Sequence, residues 1–151
     1  MYNFLKYMTL TVQLADKRVL KHRTNHGGWP RWSVTHETFL SNFDTPLTEA
    51  NRILSEKFGI DPNDYSDDFA EIKQHTPMKV AVNRLLYPFI LKMKSNLIFK
   101  VDSLEEYRAL EWYEIVDDII KDSTHRSNMA QKYTPTAAWT TNALHKLKVF
   151  D

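Results

Sequence analysis

The sequence predicts an all-α fold, one compact domain of about five to seven helices over residues 1–151, with room for one short strand or hairpin. Three observations predict it. Residues that open and close helices recur along the chain, and apolar residues fall between them at three- and four-residue spacing. Strand-like alternation is confined to two short segments.

Taken in order, Leu5, Met8, Val12, Ala15 and Val19 fit one face of a first helix. Met8, Leu10, Val12 and Leu14 also alternate with polar neighbours as a strand would, but the helical pattern runs longer and is preferred. Gly27-Gly28 either ends that helix or lets the backbone approach a ligand. Thr45-Pro46 supplies an N-cap and first helical position, Gly59 the stop, and Leu47, Ala50, Leu54 and Phe58 one apolar face between them. Ser66 caps a helix whose first-turn acids are Asp67 and Asp68. A helix from near Pro77 carries Leu85, Leu86, Phe89 and Met93, kinked at Pro88. Leu97, Phe99 and Val101 could form a short strand within Asn96–Val101. The capping box Ser103-Leu-Glu-Glu106 opens a helix with Ala109, Trp112, Tyr113, Val116, Ile119 and Ile120 on its stripe, so Trp112, Val116 and Ile120 should be buried together. Thr134-Pro135 starts a last helix bearing Trp139, Ala143 and Leu147.

Composition excludes several function classes. The absence of cysteine removes disulfides, thiolate zinc sites and cysteine nucleophiles. The three glycines match neither the Walker nor the Rossmann phosphate loop. The N-terminal residues lack the apolar core of a signal peptide, and no apolar run approaches the length of a membrane span. A cytoplasmic protein with no membrane association and no resident cofactor is the expectation.

Charge is distributed in blocks although the whole chain is only +1. Residues 1–36 are net +5, 37–74 net −6, 75–100 net +5, 101–122 net −6 and 123–151 net +3. Such blocks either pair across neighbouring elements or gather into a dipolar surface that attracts an anion.

The densest candidate site lies at 17–32. Lys17, Lys21, Arg23 and Arg31 supply cations for phosphate, and Trp29 and Trp32 supply faces for stacking. The blander reading of this segment is a solvated helix end followed by a Trp-Pro turn packed on the core. His22 and His26 share the four-residue spacing of helical metal ligands, with His36 or Glu37 as a third donor, but Gly27 follows at once and no metal is assigned. A calcium loop at Asp61–Asp68 lacks an oxygen donor at Tyr65 and glycine at Ser66. Glu111, Glu114 and Asp117 resemble the magnesium-holding acidic helices of all-α nucleotide pyrophosphatases, yet the acid-free 75–100 block offers them no partner pair, and a solvated helix face is preferred. His36-Glu-Thr38 and His125-Arg-Ser127 resemble the paired His-x-[Ser/Thr] elements of histidine-based phosphodiesterases, in which one imidazole acts as base and the other as acid.

The reading that follows is a non-catalytic binding module for an anionic, phosphate-containing partner, nucleic acid or nucleotide, through Lys17, Lys21, Arg23, Trp29, Arg31 and Trp32. The alternatives are a small phosphodiesterase or nucleotide hydrolase using His36, Thr38, His125 and Ser127, and an inhibitor or assembly factor with a protein partner.

Overall fold

The computed structural model describes residues 5–26, 28–34, 36–41, 45–59, 70–81, 83–94, 107–125, 127 and 130–150. Within them the chain runs β1 (Leu5–Gln13), β2 (Val19–His26), β3 (Trp29–Ser33), β4 (His36–Leu40), α1 (Pro46–Phe58), β5 (Ala70–Gln74), β6 (Met78–Ala81), β7 (Arg84–Met93), β8 (Tyr107–Leu110), α2 (Trp112–Ser123) and α3 (Pro135–Lys146). The eight strands make one mixed sheet with the path β3-β2-β1-β7-β5; β4 pairs with β1, β6 with β7 and β8 with β2. The all-α expectation is therefore wrong, and the molecule is built on a sheet.

The largest correction is β1. Tyr7 to Val12 are all buried, because β7 runs parallel along the whole of β1 on one edge and β4 and β2 share the other. A strand covered on both faces loses the polar-out alternation that marks a surface strand. Met8, Leu10 and Val12 pack with Ala50, Ile53, Leu54 and Phe58 of α1. Thr9 and Thr11, the polar members of the alternation, are buried on the opposite side.

The helix expected from Pro77 is replaced by β6 and β7. Pro88 does not kink a helix; it sits in a central strand where its missing N–H costs nothing. Its carbonyl accepts from the His75 N–H at 2.9 Å, so its nitrogen faces that same edge, between the stretches of β7 that pair with β6 (84–86) and with β5 (89–93).

Two of the three helices among the described residues, α1 and α3, start where their punctuation places them. α1 lies between its caps Thr45 and Gly59, and Gly59 closes it in the left-handed region at φ 63°. α3 opens at Thr134, whose Oγ1 accepts from the Ala137 N–H at 3.2 Å. α2 starts later than expected: 107–110 is β8, and Glu114 caps by accepting from the Glu111 N–H at 3.1 Å. Trp112 and Val116 are buried as expected, but Ile120 is 53% exposed and Ile119 takes its place in the core. The segments at Asp61–Asp68, Asn96–Val101 and Ser103–Glu106, together with Gly27, lie outside the described residues.

Three layers result. α1 covers one face of the sheet, while Trp112, Ile115, Val116 and Ile119 of α2 and Ala137 and Leu144 of α3 cover the other around Val19, Val34 and Ile90. No helix among the described residues is long and apolar enough to cross a membrane.

Candidate functional site

The sheet opens where β1 changes partners. Gln13 pairs with Val19 of β2, whereas Lys6–Leu10 pair with β4, so β2 and β4 diverge from one strand edge. A polar cleft of about 260 Å³ lies there, with His22, Thr24 and Asn25 of β2 on one wall and His36 and Glu37 of β4 on the other. Ser33, Thr134 and Lys57 complete its lining.

Two imidazoles meet in this cleft. The rings of His22 and His36 stack with centroids 3.9 Å apart and planes 9° from parallel. Phe58 of α1 meets the His36 ring edge-on at 5.1 Å, and His36 Nε2 lies 3.3 Å from the Tyr107 hydroxyl. Burial pushes His22 down to about 4, with the Lys57 charge adding to the effect. Burial, then His22 itself and then Lys57, push His36 down to about 3. Both rings are therefore neutral near pH 7, each offering one N–H donor and one bare nitrogen acceptor.

Glu37 is the one carboxylate among the described residues lining this cleft, and it also borders a second hollow of about 390 Å³ lined by Tyr7, Thr38, Phe39, Arg84 and Thr136. The Tyr7 hydroxyl is buried with no hydrogen-bond partner among the described residues. Burial and then the Glu37 charge raise it to about 12, against the opposing pull of Arg84. Glu37 thus shares the lining of one hollow with Lys57 and of the other with Arg84.

A hard divalent cation needs several convergent oxygen donors. Among the described residues no three of His, Cys, Asp or Glu converge in this way. Glu49 and Glu56 of α1 both close on Arg52, at 2.8 Å each, and Arg52 reaches Thr38 Oγ1 at 3.3 Å. These side chains do not fit such an ion.

The structure divides the residues singled out from the sequence. Lys21 and Arg23 lie on one face of β2 with Trp32 opposite Arg23, while Trp29 and Arg31 occupy the other face of the β2–β3 hairpin. Lys17 is in the β1–β2 turn at φ 73°. Arg31 is buried, and Trp29 is 49% exposed. His22 and His26 stand on a strand rather than on a helix. His36 and Thr38 share the α1 side of β4, whereas His125 and Ser127 are exposed beyond the end of α2, the helix that covers the opposite face. His36 therefore finds its imidazole neighbour in His22, not among the residues after α2. Sequence reasoning weighed His22 only as a metal ligand, and Lys57 and Tyr107 gave no local signal at all.

No family model matches the chain, and no curated protein matches it in sequence. Solved structures do match in fold. DR0079 from Deinococcus radiodurans superposes with a TM-score of 0.68 at 7% identity, over 94% of this chain and 83% of that one. A Nudix hydrolase from M. smegmatis, RenU, superposes with a TM-score of 0.58 at 14% identity, over 97% of this chain and 86% of that one. The fold is shared with Nudix hydrolases. A bifunctional NMN adenylyltransferase/ADP ribose pyrophosphatase from Francisella tularensis gives a TM-score of 0.58 at 11% identity, with 97% of this chain covering 42% of the larger protein. At these identities the likeness concerns the arrangement of sheet and helices. It supersedes the all-α expectation a second time and leaves the chemistry to the cleft.

Proposed function

We propose that the chain is a hydrolase of a nucleotide phosphate ester or pyrophosphate, working in the cleft between β2 and β4. The observation that carries this reading is Glu37, a carboxylate that lines both hollows, one together with Lys57 and the other together with Arg84. A carboxylate so placed takes a proton from an attacking water, and a cation beside it holds the phosphate that the water attacks. The water oxygen bonds to phosphorus, the bond to the leaving oxygen breaks, and the water proton passes to Glu37. His22 and His36, neutral, hydrogen-bond the ligand and hold the cleft open between β2 and β4 without adding positive charge. The fold is consistent with this class, since its neighbours include proteins named Nudix hydrolase and ADP ribose pyrophosphatase. The histidine pair proposed for the chemistry is accordingly His36 with His22 in place of His36 with His125.

A panel of nucleoside diphosphate derivatives, ADP-ribose first, tests the reading. Glu37→Gln should lower kcat by about a hundredfold or more, as expected for loss of a general base. Lys57→Ala should raise KM with a smaller change in kcat. Turnover in Glu37→Gln at the parent rate would refute the assignment. The lack of convergent carboxylates for a divalent ion among the described residues favours a second reading, a nucleotide binder without turnover. Binding of the same compounds with no hydrolysis would establish it.

A further inference from the structure

We infer that the face of the β2–β3 hairpin that carries Lys21 and Arg23, opposite the His22 and Thr24 face, binds single-stranded nucleic acid through its phosphate backbone. Four cations from three segments converge there. Lys21 and Arg23 alternate along β2, Arg108 of β8 stands directly opposite Lys21 in the strand register, and Lys132 arrives through the Trp32–Tyr133 bridge. That bridge is firm: the Trp32 N–H donates to the Lys132 carbonyl at 2.6 Å, and the Thr134 N–H donates to the Trp32 carbonyl at 2.9 Å.

Like charges directly opposite on neighbouring strands repel, so this clustering works against folding unless something answers it. Asp118 answers it only in part, lying 4.0 Å from Lys21 Nζ. The ammonium of Lys21 is depressed first by burial and further by Arg108, Lys132 and Arg23, with Asp118 opposing. Arg23 and Lys132 are exposed to solvent and carry positive charge outward beside Lys21.

The patch also has an aromatic floor. Lys21 Nζ lies 4.5 Å from the Trp32 ring centre and 5.4 Å from that of Tyr133, and Arg23 Cζ lies 5.2 Å from Trp32. An exposed guanidinium held over an indole offers a planar cation on which an unpaired base can stack. A guanidinium plane held over Trp32 is matched by an unstacked base, and a duplex keeps its bases inside the stack. Backbone charge plus base stacking is the chemistry of single strands, recognised without sequence preference.

Fluorescence anisotropy of the full chain with a labelled oligothymidylate of about 20 nucleotides, between about 50 and 200 mM salt, tests this. The parent should bind with steep salt dependence, and the Arg23→Ala/Lys132→Ala variant should bind at least about tenfold more weakly at low salt. Its slope of log affinity against log salt should fall by about 1.4, which is about 0.7 for each phosphate no longer neutralised. Lys132→Glu, which leaves the Arg23–Trp32 stacking in place, should weaken binding as well, and a thermal melt should match the parent's. Nucleotide hydrolysis in the cleft should be unchanged in both variants, which separates this surface from the cleft. Parent-like affinity and slope in these variants would overturn the inference. So would no binding at low salt, tighter binding of the matching duplex, or loss of binding in Lys57→Ala alone.

Discussion

Two imidazoles stacked at 3.9 Å cannot both gain a proton without repelling each other at close range. Their folded values of about 4 and about 3 lie below the 6.5 of the unfolded chain, so the unfolded state binds more protons on acidification. The sign follows: their contribution is fully present above about pH 6.5, falls as pH drops, and stops changing only below the folded values. Between about pH 7 and pH 5 each imidazole should cost up to about 2 kcal/mol of stability. Urea unfolding at the two pH values measures it. His36→Phe, which keeps an aromatic ring beside Phe58 and Tyr107, should flatten the profile; an unchanged profile would mean that the pair is not what acid attacks.

At the scale of elements, one carboxylate fastens the segment after α2. Asp122 is buried and accepts from the backbone N–H groups of Lys132 at 2.6 Å and Tyr133 at 3.0 Å. Asp122→Ala leaves two donors stranded and should cost roughly 2–3 kcal/mol in chemical denaturation, with Asp122→Asn in between. A neutral effect would show that the segment holds its place through Trp32 and Tyr133 alone. How much was legible also varies by element. Both ends of α1 and the start of α3 were, because Thr45-Pro46, Gly59 and Thr134-Pro135 act through a few local bonds. β1 misleads because its apolar residues fit both periods and the helical fit, Leu5 to Val19, runs longer than the strand alternation. β7 was misread because Pro88 breaks helices and ordinary strands alike, and only the gap between β5 and β6 makes it harmless.

The whole molecule turns on long-range pairing that no local pattern encodes. β1 pairs in parallel with β7, about seventy residues later, and antiparallel with both β2 and β4. This arrangement creates the cleft, since β2 and β4 leave the same edge of β1 in different places. His36 was legible as a chemical candidate, but its neighbours His22, Tyr107 and Lys57 come from three other elements. The charge blocks, too, resolve only in three dimensions: the cations at positions 21 and 23 join those at 108 and 132.

The central claim is that the cleft of His22 and His36 receives the nucleotide. Imidazole nitrogen and proton NMR of the full chain, titrated with ADP-ribose near pH 7, tests it most directly. The two stacked rings should show neutral tautomers before addition, and their resonances should shift together on addition, while those of exposed His125 stay in place. Shifts confined to His125 or the other histidines, with His22 and His36 unmoved at saturating ligand, would contradict it.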